Sequence, residues 1–212
     1  MQVAIPLFPR LTALDAIGPY EVLQRVPDLE VVFVGAEHGE VRTENGMLGL
    51  TVDATFAEVP DPAVVVVPGG IGSRDHLDGS PLVDWVRAVH PGTRATTSVC
   101  TGSLILGAAG LLRGLPATTH WGAVDILARF GAEPVRQRVV ELPEQRITTA
   151  AGVSSGIDMA IRLVARLVDE VAAQAAQVYV EYDPEPPYKA GHPDQVGEEV
   201  MARIAEYRAA RS

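Results

Sequence analysis

Four consecutive valines, Val64–Val67, follow Ala63 and run straight into Pro68-Gly69-Gly70. An unbroken β-branched run has no polar face to turn toward water. It therefore reads as a strand buried on both sides, the situation of a central strand in a parallel sheet. Such a sheet needs helices on both faces, and the rest of the chain supplies them. Val3–Phe8, Leu29–Val34 and Ala95–Val99 are further short apolar or β-branched runs. Helical patterns alternate with them. Gly18-Pro19 restarts the chain as a helix to about Arg25, and Pro81–His90 carries Leu82, Val83, Trp85, Val86 and Val89 on one face. One long helix is predicted from about Gly156 to Tyr182, with Asp158 and Arg162 paired one turn apart. Asn45-Gly46 marks a hairpin within Glu40–Val52, and 135–142 with 146–149 reads as a second. This alternation predicts a three-layer α/β/α sandwich with a mainly parallel sheet. No linker or repeat divides the chain. The expectation is one domain over 1–212, with a helical extension at about 194–211 that follows a proline-rich stretch.

The stretch RATTSVCTGSLILGAAGLL, Arg94–Leu112, changes from strand-like to helix-like around Cys100, the one cysteine in the sequence. Ser98-Val99-Cys100-Thr101-Gly102 has the spacing of a nucleophile elbow, with small residues two before and two after the reactive side chain. They are needed because strand and helix backbones nearly touch there. The helix beyond is apolar all round and is expected to run to Gly114. A thiol at a helix N-terminus is expected to shift toward thiolate. The alternative is a buried, inert cysteine. Three other positions invite a similar choice. Asp15 is an acid in an apolar segment or a helix N-cap. Gly69-Gly70 after the valine strand offers backbone N–H groups to a ligand or makes a plain turn. His120 starts a helix, where it either pairs with the thiol or holds the helix end.

A net charge of −10 with no basic block argues against nucleic acid or anionic membrane as partners. MQVAIPLFPR lacks the layout of a signal peptide, and no run of ~18 apolar residues exists. The expectation is a cytoplasmic protein. One cysteine allows no internal disulfide or cysteine zinc cage, and the five histidines show no HxxxH spacing. GGIGSRD does not complete GxGxxG, and no phosphate-binding GxxxxGK[ST] occurs. Neither metal nor cofactor is expected.

LDAIGPYEVL, VVVPGG and SVCTGSLILGAAGLLRGLPATTHW, taken together, resemble the ThiJ/PfpI superfamily of the class I glutamine amidotransferase-like fold. The likeness extends through ITTAAGVSSGID and EYDPEPPYKAG, nearly the whole chain. It implies a flavodoxin-like sheet and a homodimer. Two departures narrow the branch. Most members carry a glutamate after the first strand, where this chain has Asp15. Peptidase-like members carry a histidine after the cysteine, where this chain has Thr101. The pair resembles the isocyanide (isonitrile) hydratase branch. The runner-up relatives are regulators of the AraC family, which need a helix-turn-helix domain that would begin about where this acidic chain ends.

That resemblance implies a lyase acting on a small electrophile. The Cys100 thiolate attacks an isocyanide carbon to form a thioimidate. Asp15 acts as general acid and base. The backbone N–H groups of Gly70 and Thr101 face the reacting centre, beside Gly69. The Thr101 hydroxyl fixes a water or Asp15, and Val153 brings a backbone segment to the cysteine. Rival readings are a glyoxalase-like or deglycase-like enzyme on reactive carbonyls, a peptidase using His120, and a non-enzymatic redox sensor or regulator.

Overall fold

In the computed structural model, which describes residues 1–210, all four side chains of the valine run are fully buried. The chain forms two compact units, Met1–Glu181 and the segment from Tyr182 onward. The first unit opens with β1 (Gln2–Pro6), α1 (Ala13–Leu23) and β2 (Glu30–Gly35). It continues with the hairpin β3 (Gly39–Arg42) and β4 (Gly49–Val52), then β5 (Ala54–Thr55), β6 (Val64–Val67) and α2 (Pro81–Val89). The elbow joins β7 (Ala95–Val99) to α3 (Gly102–Ala108). Beyond it lie β8 (Pro116–Ala117), α4 (Val124–Arg129), β9 (Glu133–Pro134), β10 (Val139–Leu142) and β11 (Ile147–Ala150). Helices α5 (Ser155–Leu167) and α6 (Glu170–Tyr179) complete the unit.

Seven strands form one sheet in the order β10-β11-β7-β6-β1-β2-β5. Every pairing is parallel except β10 with β11. It is the mainly parallel, helix-flanked α/β sheet predicted from the valine run. From β1 the chain crosses to β2 on one side and later returns to β6 on the other. The order therefore reverses between β1 and β6, and ligand sites of open α/β sheets lie in the crevice beyond the strand ends at such a point. Ala4 faces Val65 and Val67 faces Ser98, so β1, β6 and β7 reach that edge together. The segments that follow them carry Asp15, Gly69-Gly70 and Cys100.

Four expectations are corrected. Helix α1 starts at Ala13, ahead of Asp15, and continues through Gly18-Pro19. Proline has no N–H to give the Asp15 carbonyl, but that loss is confined to one turn. The helix after the elbow stops at Ala108, because Gly110 takes a left-handed φ of 81° long before Gly114. The predicted long helix is two helices. Val168 leaves helical geometry and the Asp169 carboxylate caps the second helix by accepting from the Ala172 N–H at 2.7 Å. Asp158 pairs with Arg138 rather than with Arg162, which reaches Glu141 at 3.5 Å.

The second unit contains a short 3₁₀ turn, Pro193–Gln195, and α7 (Glu198–Ala209). The expected extension thus begins as a turn and becomes a helix at Glu198; Arg211, its predicted end, lies outside the described residues. Among the described residues, no helix is long and apolar enough to cross a membrane.

Candidate active site

Strand β7 ends at Val99 and α3 begins at Gly102, so Cys100 and Thr101 make the whole turn between them. Cys100 has a φ of 57°, the left-handed region that residues with a Cβ rarely enter. The surroundings hold it there. Its N–H donates to the carbonyls of Ala150 at 3.1 Å and Ala151 at 2.9 Å. Its carbonyl accepts from the hydroxyls of Ser103 at 3.2 Å and Thr119 at 3.1 Å. The small residue two places on is explained by contact: a Cβ on Gly102 would lie 2.2 Å from the Val67 carbonyl oxygen.

Asp15 sits in the first turn of α1 with no exposed surface. Its Oδ2 accepts from the Gly69 N–H at 2.9 Å. Its Oδ1 is buried without a partner of good hydrogen-bond geometry, and the Cys100 thiol lies beside the carboxyl. Burial raises the Asp15 pKa to about 7, against the opposing pull of the Gly69 amide and the Cys100 thiol. Glu44 adds a small upward push through its charge. Burial also pushes the Cys100 thiol strongly up. The Asp15 charge and its hydrogen bond push the same way, and the N–H groups of Thr101 and Val153, which face the sulfur, oppose them. The expected shift toward thiolate is therefore reversed. A seven-residue helix presents a weak dipole, and a thiol only 4% exposed loses more by desolvation. Cys100 holds its proton beside a base able to take it.

The glycine pair closes the site from β6. A Cβ on Gly69 would stand 2.5 Å from the Thr101 nitrogen and 2.9 Å from Asp15 Oδ2. The Thr101 hydroxyl accepts from the Gly70 N–H at 2.8 Å and donates to the Gly70 carbonyl at 3.0 Å. Gly70 thus turns its N–H to Thr101 instead of to the sulfur, contrary to expectation, and the Thr101 hydroxyl fixes backbone instead of a water or Asp15. Val153 does reach the cysteine through its N–H, with a φ of 30°. His120 holds a helix start: its Nδ1 accepts from the Gly122 N–H at 3.1 Å. Asp15, Gly69, Cys100, Thr101 and Val153 therefore converge, Gly70 supports them at one remove, and the His120 ring packs against Gly152, where a Cβ would stand 3.0 Å from its Cδ2.

Sequence reasoning missed two contributors. Glu44, at the tip of the β3–β4 hairpin, bears on Asp15 by its charge and accepts from the Ile71 N–H at 2.9 Å. Arg138, just before β10, bonds the Ser154 hydroxyl at 3.3 Å as well as Asp158. Both come from chain segments far from the elbow, and no local spacing signals either. Among the described residues, no group of three His, Cys, Asp or Glu side chains could hold a metal ion.

The family model of the DJ-1/PfpI family matches residues 1–166. Isonitrile hydratase of Pseudomonas putida is 41% identical over 212 residues, which is 100% of this chain and 91% of that protein. The transcriptional regulator CdhR of Pseudomonas aeruginosa, of the HTH type, is 29% identical over 180 residues, 83% of this chain and 53% of the regulator. The crystal structure of a ThiJ/PfpI family protein from Pseudomonas syringae superposes with a TM-score of 0.91 at 35% identity, covering 99% of this chain and 86% of that one.

Proposed function

The chain belongs to the DJ-1/PfpI family, and on that premise we propose that it is a lyase that hydrates isocyanides to N-substituted formamides. The observation that carries this reading is the buried pair of Asp15 and Cys100, two acids whose pKa values are both raised and which lie in contact. Hydration of an isocyanide needs one proton taken from a nucleophile and returned to the same substrate carbon. A carboxylate beside a protonated thiol can do both without a histidine. The full-length likeness to an isonitrile hydratase supports the same substrate class.

The reaction follows from the proton positions. Asp15 takes the proton from Cys100 as the sulfur bonds to the terminal carbon of the isocyanide. The N–H groups of Thr101 and Val153 hold the sulfur charge while it forms. Asp15 then delivers that proton to the same carbon, which gives a thioimidate, R–N=CH–S–Cys100. Water attacks this carbon next. Asp15 accepts a proton from the water and passes it to the nitrogen. The tetrahedral adduct collapses by breaking the C–S bond. The hydroxyl proton leaves through Asp15 and returns to the sulfur, so the formamide departs and the pair is restored. One water is consumed and no electrons are exchanged.

The test is to mix the purified protein with an aryl isocyanide and follow formation of the formamide. Turnover is expected in the parent and absent in Cys100→Ala. Formamide at the parent rate from Cys100→Ala removes the nucleophile. Turnover of methylglyoxal without turnover of the isocyanide replaces the reading with a carbonyl-directed one.

A further inference from the structure

Val153 is β-branched, yet its φ is 30°, outside the ordinary regions for such a residue. A conformation of this kind is strained and persists only where the surroundings impose it. The turn around Val153 lies against the nucleophile: the Cys100 N–H donates to the Ala151 carbonyl at 2.9 Å, and the Val153 N–H faces the Cys100 sulfur. That turn, 151–155, is fastened at both ends to one residue. The Ala151 N–H donates to the Arg138 carbonyl at 2.9 Å. The Arg138 guanidinium bonds the Ser154 hydroxyl at 3.3 Å with one nitrogen and the Asp158 carboxylate with another. Asp158 lies in the first turn of α5, directly beyond Ser154-Ser155. Arg138 therefore ties the strand edge at β10 to the start of α5 across the strained turn.

We propose that Arg138 and Asp158 are positioning residues for the nucleophile: their pairing keeps the 151–155 turn wound so that the Val153 N–H remains on the Cys100 sulfur. The inference rests on the reading of Cys100 as the nucleophile but not on the identity of its substrate. Without the clamp, Val153 relaxes toward an ordinary φ, its N–H leaves the sulfur, and the thiol holds its proton more tightly. Ion pairs as exposed as this one contribute little to global stability, so the effect is felt at the sulfur.

Because the chain has one cysteine, alkylation by iodoacetamide reads that sulfur alone and needs no isocyanide. Asp158→Asn separates positioning from charge by sign. Removing a negative charge makes a thiol more acidic through the field alone, whereas losing the clamp makes it less acidic. The expected result is an alkylation rate at fixed pH that falls about threefold, the scale of a partly exposed ion pair, with the rate profile displaced to higher pH. Arg138→Lys should behave alike, since an ammonium keeps the charge but cannot span Ser154 and Asp158 together. Arg162→Gln, which removes a charge from the same helix without touching the turn, should alkylate at the parent rate. An unchanged or faster rate in Asp158→Asn overturns the proposal, as does full recovery in Arg138→Lys. If Asp158→Asn fails to fold, Ser154→Ala takes its place, with a smaller fall expected and no change counting against the clamp. A parent that alkylates normally yet ignores isocyanides defeats the hydratase reading and leaves this test intact.

Discussion

The Gly69 N–H donates to Asp15 Oδ2 at 2.9 Å, which leaves the other carboxyl oxygen buried and without a partner of its own. The bond orients the acid from one side and leaves the buried Oδ1 toward the Cys100 thiol as the oxygen that can take a proton. A strand end after β6 and a helix start after β1 thus fix one carboxyl group over a thiol carried by β7. That arrangement sets both the charge state of the site and its response to pH.

The first prediction concerns catalysis. Turnover needs Asp15 ionised, because only the carboxylate can take the Cys100 proton. With the carboxyl titrating at about 7, kcat/KM for an isocyanide should rise with pH and level off above that value. The thiol titrates far higher, so no falling limb from its ionisation is expected near neutrality. A pH profile of kcat/KM checks this. A profile flat from pH 5 to 9 would remove Asp15 as the base. The apparent value belongs to the coupled pair rather than to one residue.

The second prediction concerns stability. The folded-state pKa of Asp15 is raised from 3.8 to about 7, so the folded protein binds more protons than the unfolded chain between those values. The sign follows: the contribution of this group is fully present below about 4 and is lost as pH rises through about 7. The loss amounts to no more than about 4 kcal/mol. Asp15→Asn, which cannot ionise, should show a smaller decline in unfolding free energy between pH 5 and pH 8 than the parent. Chemical denaturation at the two pH values measures the difference. Parallel declines would mean that the carboxyl is not held neutral by burial.

The sequence exposed this site unevenly, for physical reasons. Val64–Val67 and the small residues around Cys100 are constrained by their immediate neighbours, so strand, elbow and close approach could be read locally. Asp15 could be proposed but not oriented, since the Gly69 N–H that orients it lies 54 positions away. The thiol was read the wrong way because spacing reveals a helix start but not how deeply the sulfur is buried. The break at Asp169 carried a legible sign, an aspartate at an N-cap, which the apolar periodicity on either side outweighed. The Val153 φ and the Arg138 contacts had no local sign, and Val153 entered only through the family resemblance. A left-handed φ in a β-branched residue runs against local preference and comes only from tertiary packing.

The last prediction separates the two parts of Thr101. Its N–H meets the sulfur, while its hydroxyl serves both polar groups of Gly70, at 2.8 Å to the nitrogen and 3.0 Å to the oxygen. Thr101→Val keeps the shape and the N–H but strips the buried Gly70 N–H of its partner, while the Gly70 carbonyl still accepts from the Ser73 hydroxyl at 2.8 Å and the Ser73 N–H at 3.1 Å. Leaving that donor unsatisfied should lower the unfolding free energy by about 1–3 kcal/mol. Ser at this position keeps the hydroxyl and should recover most of that. The Thr101 N–H is unaffected by either change, so iodoacetamide should alkylate Cys100 in Thr101→Val within about twofold of the parent wherever the variant is fully folded, a shift smaller than one good hydrogen bond would give. Denaturation and alkylation of the two variants test the assignment together. A Val variant as stable as the parent would mean that the hydroxyl does not hold Gly70. A stable Val variant with a much slower thiol would move the role of Thr101 from the glycine strand to the sulfur itself.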